Sequence, residues 1–518
     1  MTRSRMVALV AATGAAALSL LACGNEQRDR QPELLTREEL LDPKSCASCH
    51  PRHYLEWSGS MHAYASTDPV FLAMNRRGQE ETGGALGDFC VKCHAPLALS
   101  EGFTSDGLNL ESAPEALQGV GCYVCHNVES VDGSHNNPLT FAGGVELRGR
   151  LRDPEPNSAH ASAYSPLVAG NVAESSTLCG ACHDVVLPVP PAGAPVHLER
   201  TFAEWQGSVF APENAPTASA VSTCSGCHAP FQGREEPIAP GGPPRQHHSH
   251  GMAAVDLALT PFPVSDDPER DAAARAIQRA EIERLLDSTL RTEICVQTWP
   301  GESSVITVTL DNAGAGHHFP SGAAQDRRAW VELVAYRGDE VLFQSGVAER
   351  DEPDPDDPNL WLFRDIALDA EGGEAHMFWD AVAYEAHTIQ AQVTNDPSDA
   401  RYYRSHAVRR YPRAPSETIL GVPDRVTVRV RLRAMALAVI DDLIASGHLD
   451  PVFRDRFETH DLLPFRALST RSDPTLARLA RVSLEWSAAA EATGLLDARD
   501  DFTERLPRRC VSMPRRAR

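Results

Sequence analysis

The chain has 518 residues, enough for two or three domains, and an ordinary apolar content of 42%, which excludes both a disordered polypeptide and a polytopic membrane protein. Its formal net charge of −23 argues against nucleic acid as a partner, because phosphate binding needs a basic surface. The same charge leaves room for a basic protein partner steered by the field of the molecule.

At the N-terminus, Arg3 and Arg5 precede a short run of small and apolar residues from Val7 to Leu21. The run is too short for a spanning helix and has the form of an export signal, so residues 1–22 read as a signal peptide. Leu20-Leu21-Ala22-Cys23 resembles a bacterial lipoprotein box. That resemblance implies lipidation of Cys23 as the first mature residue, and Gly24 in place of Asp implies sorting to the outer membrane. Ordinary cleavage with an incidental Cys23 is the other reading. Residues 23–40 are polar and read as a lipidated tether. No later stretch is long and apolar enough to cross a bilayer. The expectation is an exported lipoprotein, anchored in the outer or cytoplasmic membrane and facing the periplasm or the cell surface.

Residues 41–265 hold the dominant signal. Ten of the 13 cysteines fall in five copies of Cys-x-x-Cys-His. The copies are Cys46/Cys49/His50, Cys90/Cys93/His94, Cys122/Cys125/His126, Cys179/Cys182/His183 and Cys224/Cys227/His228. This is the pattern of covalent haem attachment. Two thiols add across the vinyl groups of one porphyrin, and two intervening residues let a single turn present both sulfurs to one ring edge. The next residue then offers a neutral imidazole to the iron, making His50, His94, His126, His183 and His228 the proximal ligands. Zinc sites do not require His after every Cys pair, and thioredoxin-like motifs come singly near a βαβ pattern. The implied cofactors are five c-type haems. Helical and strand signals are weak here, and Leu187–Pro195 and Pro237–Pro244 read as loops, as expected where macrocycles replace an apolar core.

The motifs, with Trp57-Ser58-Gly59-Ser60-Met61-His62-Ala63 after the first, resemble the tetrahaem cytochromes of ammonia oxidisers and related outer-membrane and extracellular electron-transfer cytochromes. The resemblance implies that His62 reaches a neighbouring haem. By the same likeness or by context, His135 after the third motif and His160 before the fourth are distal candidates. In His247-His248-Ser249-His250-Gly251, His247 fits the family's H-x-x-x-G pattern best. Gly316-His317-His318-Phe319-Pro320-Ser321-Gly322 is similar to a G-H-x-x-P-[ST]-G loop of an appended β domain, which implies a ligand role for His317; a structural turn is the alternative. Met61, Met74 and Met252 are other possible axial ligands, but the surplus of histidines favours two-histidine ligation.

Residues 266–294 read as a helical connector, with Ile277, Ile282, Leu285, Leu286 and Leu290 on one stripe of a helix over 268–291. Residues 295–433 change to period two. Ile306, Val308 and Leu310 alternate with threonines, and Val426, Val428, Val430 and Leu432 alternate with Thr427, Arg429, Arg431 and Arg433. With strands expected at Trp330–Tyr336 and Met377–Ala383, an antiparallel β-sandwich follows. The acidic run Asp351–Pro358 reads as a solvated loop, with calcium binding as the alternative. Residues 434–518 read as C-terminal helices, one ending at Gly447 and one starting at Asp473-Pro474. Cys295 and Cys510 lie outside the motifs, and are either a disulfide or two buried thiols. The fold class is therefore a haem-filled, loop-rich, mainly α N-terminal domain, an antiparallel sandwich, and helices at the end.

The resemblance implies electron transfer along closely spaced haems at the cell envelope, with redox proteins as partners. An enzyme is the alternative: a multihaem reductase or oxidoreductase acting on a small nitrogen or sulfur oxyanion at one haem with an open distal site. No Cys-x-x-Cys-Lys motif occurs, which counts against catalysis, and no catalytic residue is assigned. A β domain that docks a partner or surface polymer is a third reading.

Overall fold

The computed structural model describes residues 34–156, 159–187, 195–260, 267–299, 302–348 and 352–462, and two strands at Leu484–Ser487 and Arg508–Ser512. Cys23, the export signal, most of the tether, most of Leu187–Pro195 and the helix start at Asp473 lie outside the described residues.

Each Cys-x-x-Cys-His segment forms one helical turn, because the spacing lets the His amide reach back to the carbonyl of the first Cys. His50 N–H donates to Cys46 O at 2.7 Å, His94 to Cys90 at 3.2 Å and His183 to Cys179 at 3.0 Å. Cys122–His126 and Cys224–His228 are complete short helices. Pro51–Ser58 and Pro69–Glu81 are the longer helices of this half, each with Pro in its first turn, where the missing N–H costs nothing. Four two-stranded sheets join them. One is parallel, Glu146–Gly149 with Ala161–Tyr164. Another pairs Phe231–Pro237 with Pro244–His248 and sets Pro237 opposite Pro244. The N-terminal half is thus mixed helix and strand rather than mainly α.

Pro268–Leu286 is the long helix, opened by Asp267, whose side chain accepts from the amides of Glu269 and Arg270. It sits between the two halves. Arg270 lies 4.4 Å over the Tyr54 ring on one side, while Ile282 and Leu286 enter the β core on the other. It ends short of the expected 291, because Arg291–Trp299 is already a strand.

Two antiparallel sheets follow. One runs His406–Tyr411, Ser303–Asp311, Arg291–Trp299, Arg508–Ser512, with Ile419–Leu420 also on Ser303–Ser304. The other runs Glu340–Ser345, Arg328–Arg337, Arg425–Arg433, Thr459–Leu462, extended by Trp361–Phe363 and Leu484–Ser487. Ile294, Val296, Ile306, Val308 and Leu310 of the first share one apolar cluster with Val331, Leu333, Val426, Val428, Val430 and Leu432 of the second. Period-two alternation does this by turning every second side chain inward. The opposite face is not simply solvated. Glu332 binds Arg429 and Arg431 there, and Arg433 is fully buried, donating to Met435 O at 3.1 Å and Phe457 O at 3.3 Å.

Two expectations are corrected. Met377–Ala383 is not a strand: Phe378–Asp380 is a 3-10 turn, with a short strand only at Ala383–Glu385, because Met377 and Phe378 are both drawn into apolar clusters. After the helix Leu437–Ala445 the described residues include three further strands, so the tail completes the two sheets instead of forming only helices. Among the described residues no helix is long and apolar enough to cross a membrane.

Candidate functional site

The interior of the N-terminal half is a cavity of about 3170 Å³. Ordinary ligand pockets are about 300–1,000 Å³. All ten motif cysteines and all five motif histidines line it. Its other walls come from the helix Thr201–Gln206, the end of Pro268–Leu286 and the loop around His317. Its lining is mostly apolar, so a large apolar group seated there would gain both burial and dispersion contacts.

The histidines are held in a common way. His50 Nδ1 lies 2.8 Å from Ile238 O, His94 Nδ1 3.1 Å from Ala65 O, His126 Nδ1 2.6 Å from Arg148 O and His228 Nδ1 2.6 Å from Ala253 O. A carbonyl can only accept, so each Nδ1 carries the proton and each Nε2 keeps a lone pair for a metal. His183 differs, with Nδ1 3.2 Å from Glu199 Oε1. Burial pushes His228 down to about 4, so its imidazole is neutral at neutral pH, as a ligand must be.

Three motif histidines face a histidine brought from elsewhere in the chain, while His50 has the ring of His53, three residues on, edge-on at 5.8 Å. The ring centres of His183 and His62 are 6.2 Å apart, those of His126 and His250 6.4 Å, and those of His228 and His317 6.4 Å. Two imidazoles on opposite sides of one metal ion, each at about 2.0–2.1 Å as for zinc, would have ring centres about 6 Å apart. The incoming histidines are pinned too: His250 Nδ1 to His248 O at 3.0 Å, His317 Nδ1 to His318 O at 2.8 Å, and His62 Nδ1 to Met252 Sδ at 3.0 Å. Burial pushes His62 and His250 down to about 4. His160 lines the same cavity within electrostatic reach of His50 and His126. His94 instead stacks on Phe71, with ring centres 4.1 Å apart and planes 6° apart; among the described residues no histidine ring pairs with it.

Two of the candidates lie elsewhere. His135 is exposed, away from the cavity, beside Ser134. His247 is buried, but its Nε2 is taken by both oxygens of Glu56 at 3.0 and 3.1 Å, and it does not line the cavity. Arg245, Gln246 and His248 of the strand Pro244–His248 all line the cavity, so it is the pairing with Glu56 that sets His247 apart. His250, just past the strand, takes the place facing His126. The H-x-x-x-G pattern pointed to His247, but the ring that faces a motif histidine is that of His250. Glu199 was missed altogether, since a lone Glu between short elements carries no signal in one dimension.

The loop Gly316–Gly322 is clasped from the N-terminal half. Glu204 accepts from His318 N–H at 3.1 Å and Ser321 O–H at 2.6 Å, and Thr201 Oγ1 accepts from Gly322 N–H at 3.1 Å. Gly316 and Gly322 have φ of +76° and +84°, a conformation that favours glycine. The loop thereby carries His317 from the β half across to His228.

The motifs also approach one another. Cys46 and Cys122, Cys93 and Cys182, and Cys179 and Cys224 lie within electrostatic reach of one another, and Cys125 lies within reach of Cys179 and Cys182. Among the described residues no group of three or more His, Cys, Asp or Glu converges as a bare metal ion requires. The donor set therefore suits an iron that arrives in its own macrocycle and needs only axial ligands.

Comparison with known proteins agrees in kind. The family model described as cytochrome c554 and c-prime matches residues 45–127. The crystal structure of a penta-heme cytochrome c552 from Thermochromatium tepidum is similar in fold at 18% identity, with a TM-score of 0.54 over 83% of this chain and 98% of that one. No curated protein matches the sequence.

Proposed function

We propose that this chain is a multihaem c-type cytochrome that carries electrons along five covalently bound haems. The observation that carries this reading is the set of three histidine pairs at 6.2–6.4 Å, each joining a motif histidine to one brought from elsewhere in the chain. The cysteines of each motif would hold a porphyrin by thioether bonds, and the histidines would supply its axial ligands. Bound haem supplies reversible one-electron chemistry. The protein's part is to hold Nε2 of each ligand in place, exclude water with the surrounding apolar wall, and keep neighbouring attachment sites in contact. The axial pairs would be His183 with His62, His126 with His250 and His228 with His317, and His160, which lines the cavity within electrostatic reach of His50, would serve that motif. The proximity of motifs one and three, two and four, and four and five supports a continuous relay.

The remaining expectations extend this reading. Residues 41–265 would form the haem domain and the helix Pro268–Leu286 the connector; the β-sandwich expected over 295–433 begins instead at Arg291 and takes in the strands Thr459–Leu462, Leu484–Ser487 and Arg508–Ser512, its two sheets sharing one core. Cys295 is disulfide-bonded and stands opposite Cys510 in the antiparallel register, which supports a Cys295–Cys510 bridge. Export, lipidation at Cys23, outer-membrane anchoring and redox protein partners complete the proposal, and membrane fractionation of a Cys23→Ser variant tests the anchor.

A second reading rests on His94, which stacks on Phe71 and pairs with no described histidine. A haem there with an open distal side would bind a small nitrogen or sulfur oxyanion. The experiment for both readings is haem quantification followed by spin-state spectroscopy. Five haems per chain, all low-spin, support the carrier. One high-spin haem that binds cyanide or nitrite favours the enzyme. A mature chain without added porphyrin mass overturns both.

A further inference from the structure

The proposed relay has a junction at the fourth motif, whose cysteines approach those of the second and fifth, and also Cys125 of the third. The motif histidine at this junction is held unlike the others. Four motif histidines donate Nδ1–H to backbone carbonyls, whereas His183 faces the carboxylate of Glu199 at 3.2 Å.

Glu199 closes the short strand His197–Glu199, just before the helix Thr201–Gln206, and lines the cavity. Its Oε1 also accepts the Thr201 hydroxyl at 3.2 Å, which fixes the carboxylate on the imidazole. Arg327 acts on Glu199 through its field, but donates to Ser321 O at 2.9 Å and Asp256 at 3.4 Å. The anion is therefore committed to His183.

A carboxylate on Nδ1–H draws the proton toward itself and makes Nε2 a stronger donor than a carbonyl does. A stronger, more anionic ligand stabilises ferric over ferrous iron. We infer that Glu199 is a positioning and tuning residue that makes the haem at Cys179–Cys182 the lowest-potential of the two-histidine sites, placing a thermodynamic step at the junction of the relay. Electrons then reside on the branches and pass through the junction only in transit. The exchange balances simply: a ferrous haem of a neighbouring motif gives one electron to the ferric haem held by His183, and Glu199 keeps its hydrogen bond without gaining a proton.

This inference rests on the proposed haem content, so the holoprotein is first counted for haem. Redox titration followed by optical and electron paramagnetic resonance spectra then resolves the individual waves. His62→Ala, which turns the same haem high-spin, marks the wave that belongs to it. In Glu199→Gln that wave should rise by a factor of about ten or more in reduction equilibrium, about 59 mV for one electron. Glu199→Asp should return it part of the way, and the other waves should move much less. Should Glu199→Gln fail to load five haems, the unmodified protein decides: the marked haem must be the last two-histidine haem to be reduced. Unchanged waves in Glu199→Gln, or a junction haem reduced before its neighbours, overturn the inference. A haem count of zero overturns the proposed function instead.

Discussion

The two halves of the molecule solve the problem of an interior in opposite ways. The β half closes on its own side chains: Ile306, Val308, Leu310 and Val331 are all fully buried among neighbours from both sheets. The N-terminal half closes on a cavity of about 3170 Å³, and its apolar clusters, such as Leu40–Leu41–Tyr123–Val124 and Phe71–Val91–Leu110, form a shell around that space. A chain with short helices and two-stranded sheets cannot be stable on that shell alone, because isolated short helices and hairpins are marginal in water. The difference teaches that half of this fold is encoded as a container, with stability supplied when its contents bind.

The largest expected effect follows from that contrast. Protein made without haem attachment should lose protease resistance throughout residues 45–260, while fragments spanning 291–433 persist; equal resistance of both halves would remove the distinction. Next, Trp330→Ala should destabilise the β half by about 3–5 kcal/mol, by deleting a fully buried side chain and its bond to Gly346 O, without changing haem content. Denaturant melts followed separately by haem absorbance and by far-ultraviolet dichroism would detect this. A narrower effect separates neighbours in one cluster: His250→Ala should turn one haem high-spin, whereas His247→Ala should leave every spin state unchanged. The reverse result would restore the H-x-x-x-G assignment. The smallest change is Gly447→Ala. Gly447 closes the helix Leu437–Ala445 at φ +78°, and a side chain there should cost about 1 kcal/mol in thermal or chemical unfolding, with no spectral change.

Different kinds of signal were legible to different degrees. Cys-x-x-Cys-His is local: five residues suffice to build the turn, so each attachment site could be read without the rest of the fold. Alternation in Arg425–Arg433 was equally readable, since one strand carries its own inside and outside. The distal ligands were not, because a histidine serves as one only if another segment places a porphyrin within reach. His62 and His317, singled out through the company of Trp57, Gly316, Pro320 and Gly322, face motif histidines, whereas His135 and His247 do not. The expected strand at Met377–Ala383 failed for a similar reason: its apolar residues serve two separate clusters and never form one face.

What the sequence alone determined is local: five Cys-x-x-Cys-His turns, each offering two thiols and an imidazole, and an alternating region that had to become sheet. These are properties of short windows, decided by bond geometry and by the two-residue period of a strand. Only the tertiary structure decided which imidazoles meet across a common axis, that Glu199 and not a carbonyl faces His183, and that the tail returns to pair with strands laid down some two hundred residues earlier. Those are long-range choices, made by how loops and helices close around a shared interior, and no window of residues contains them.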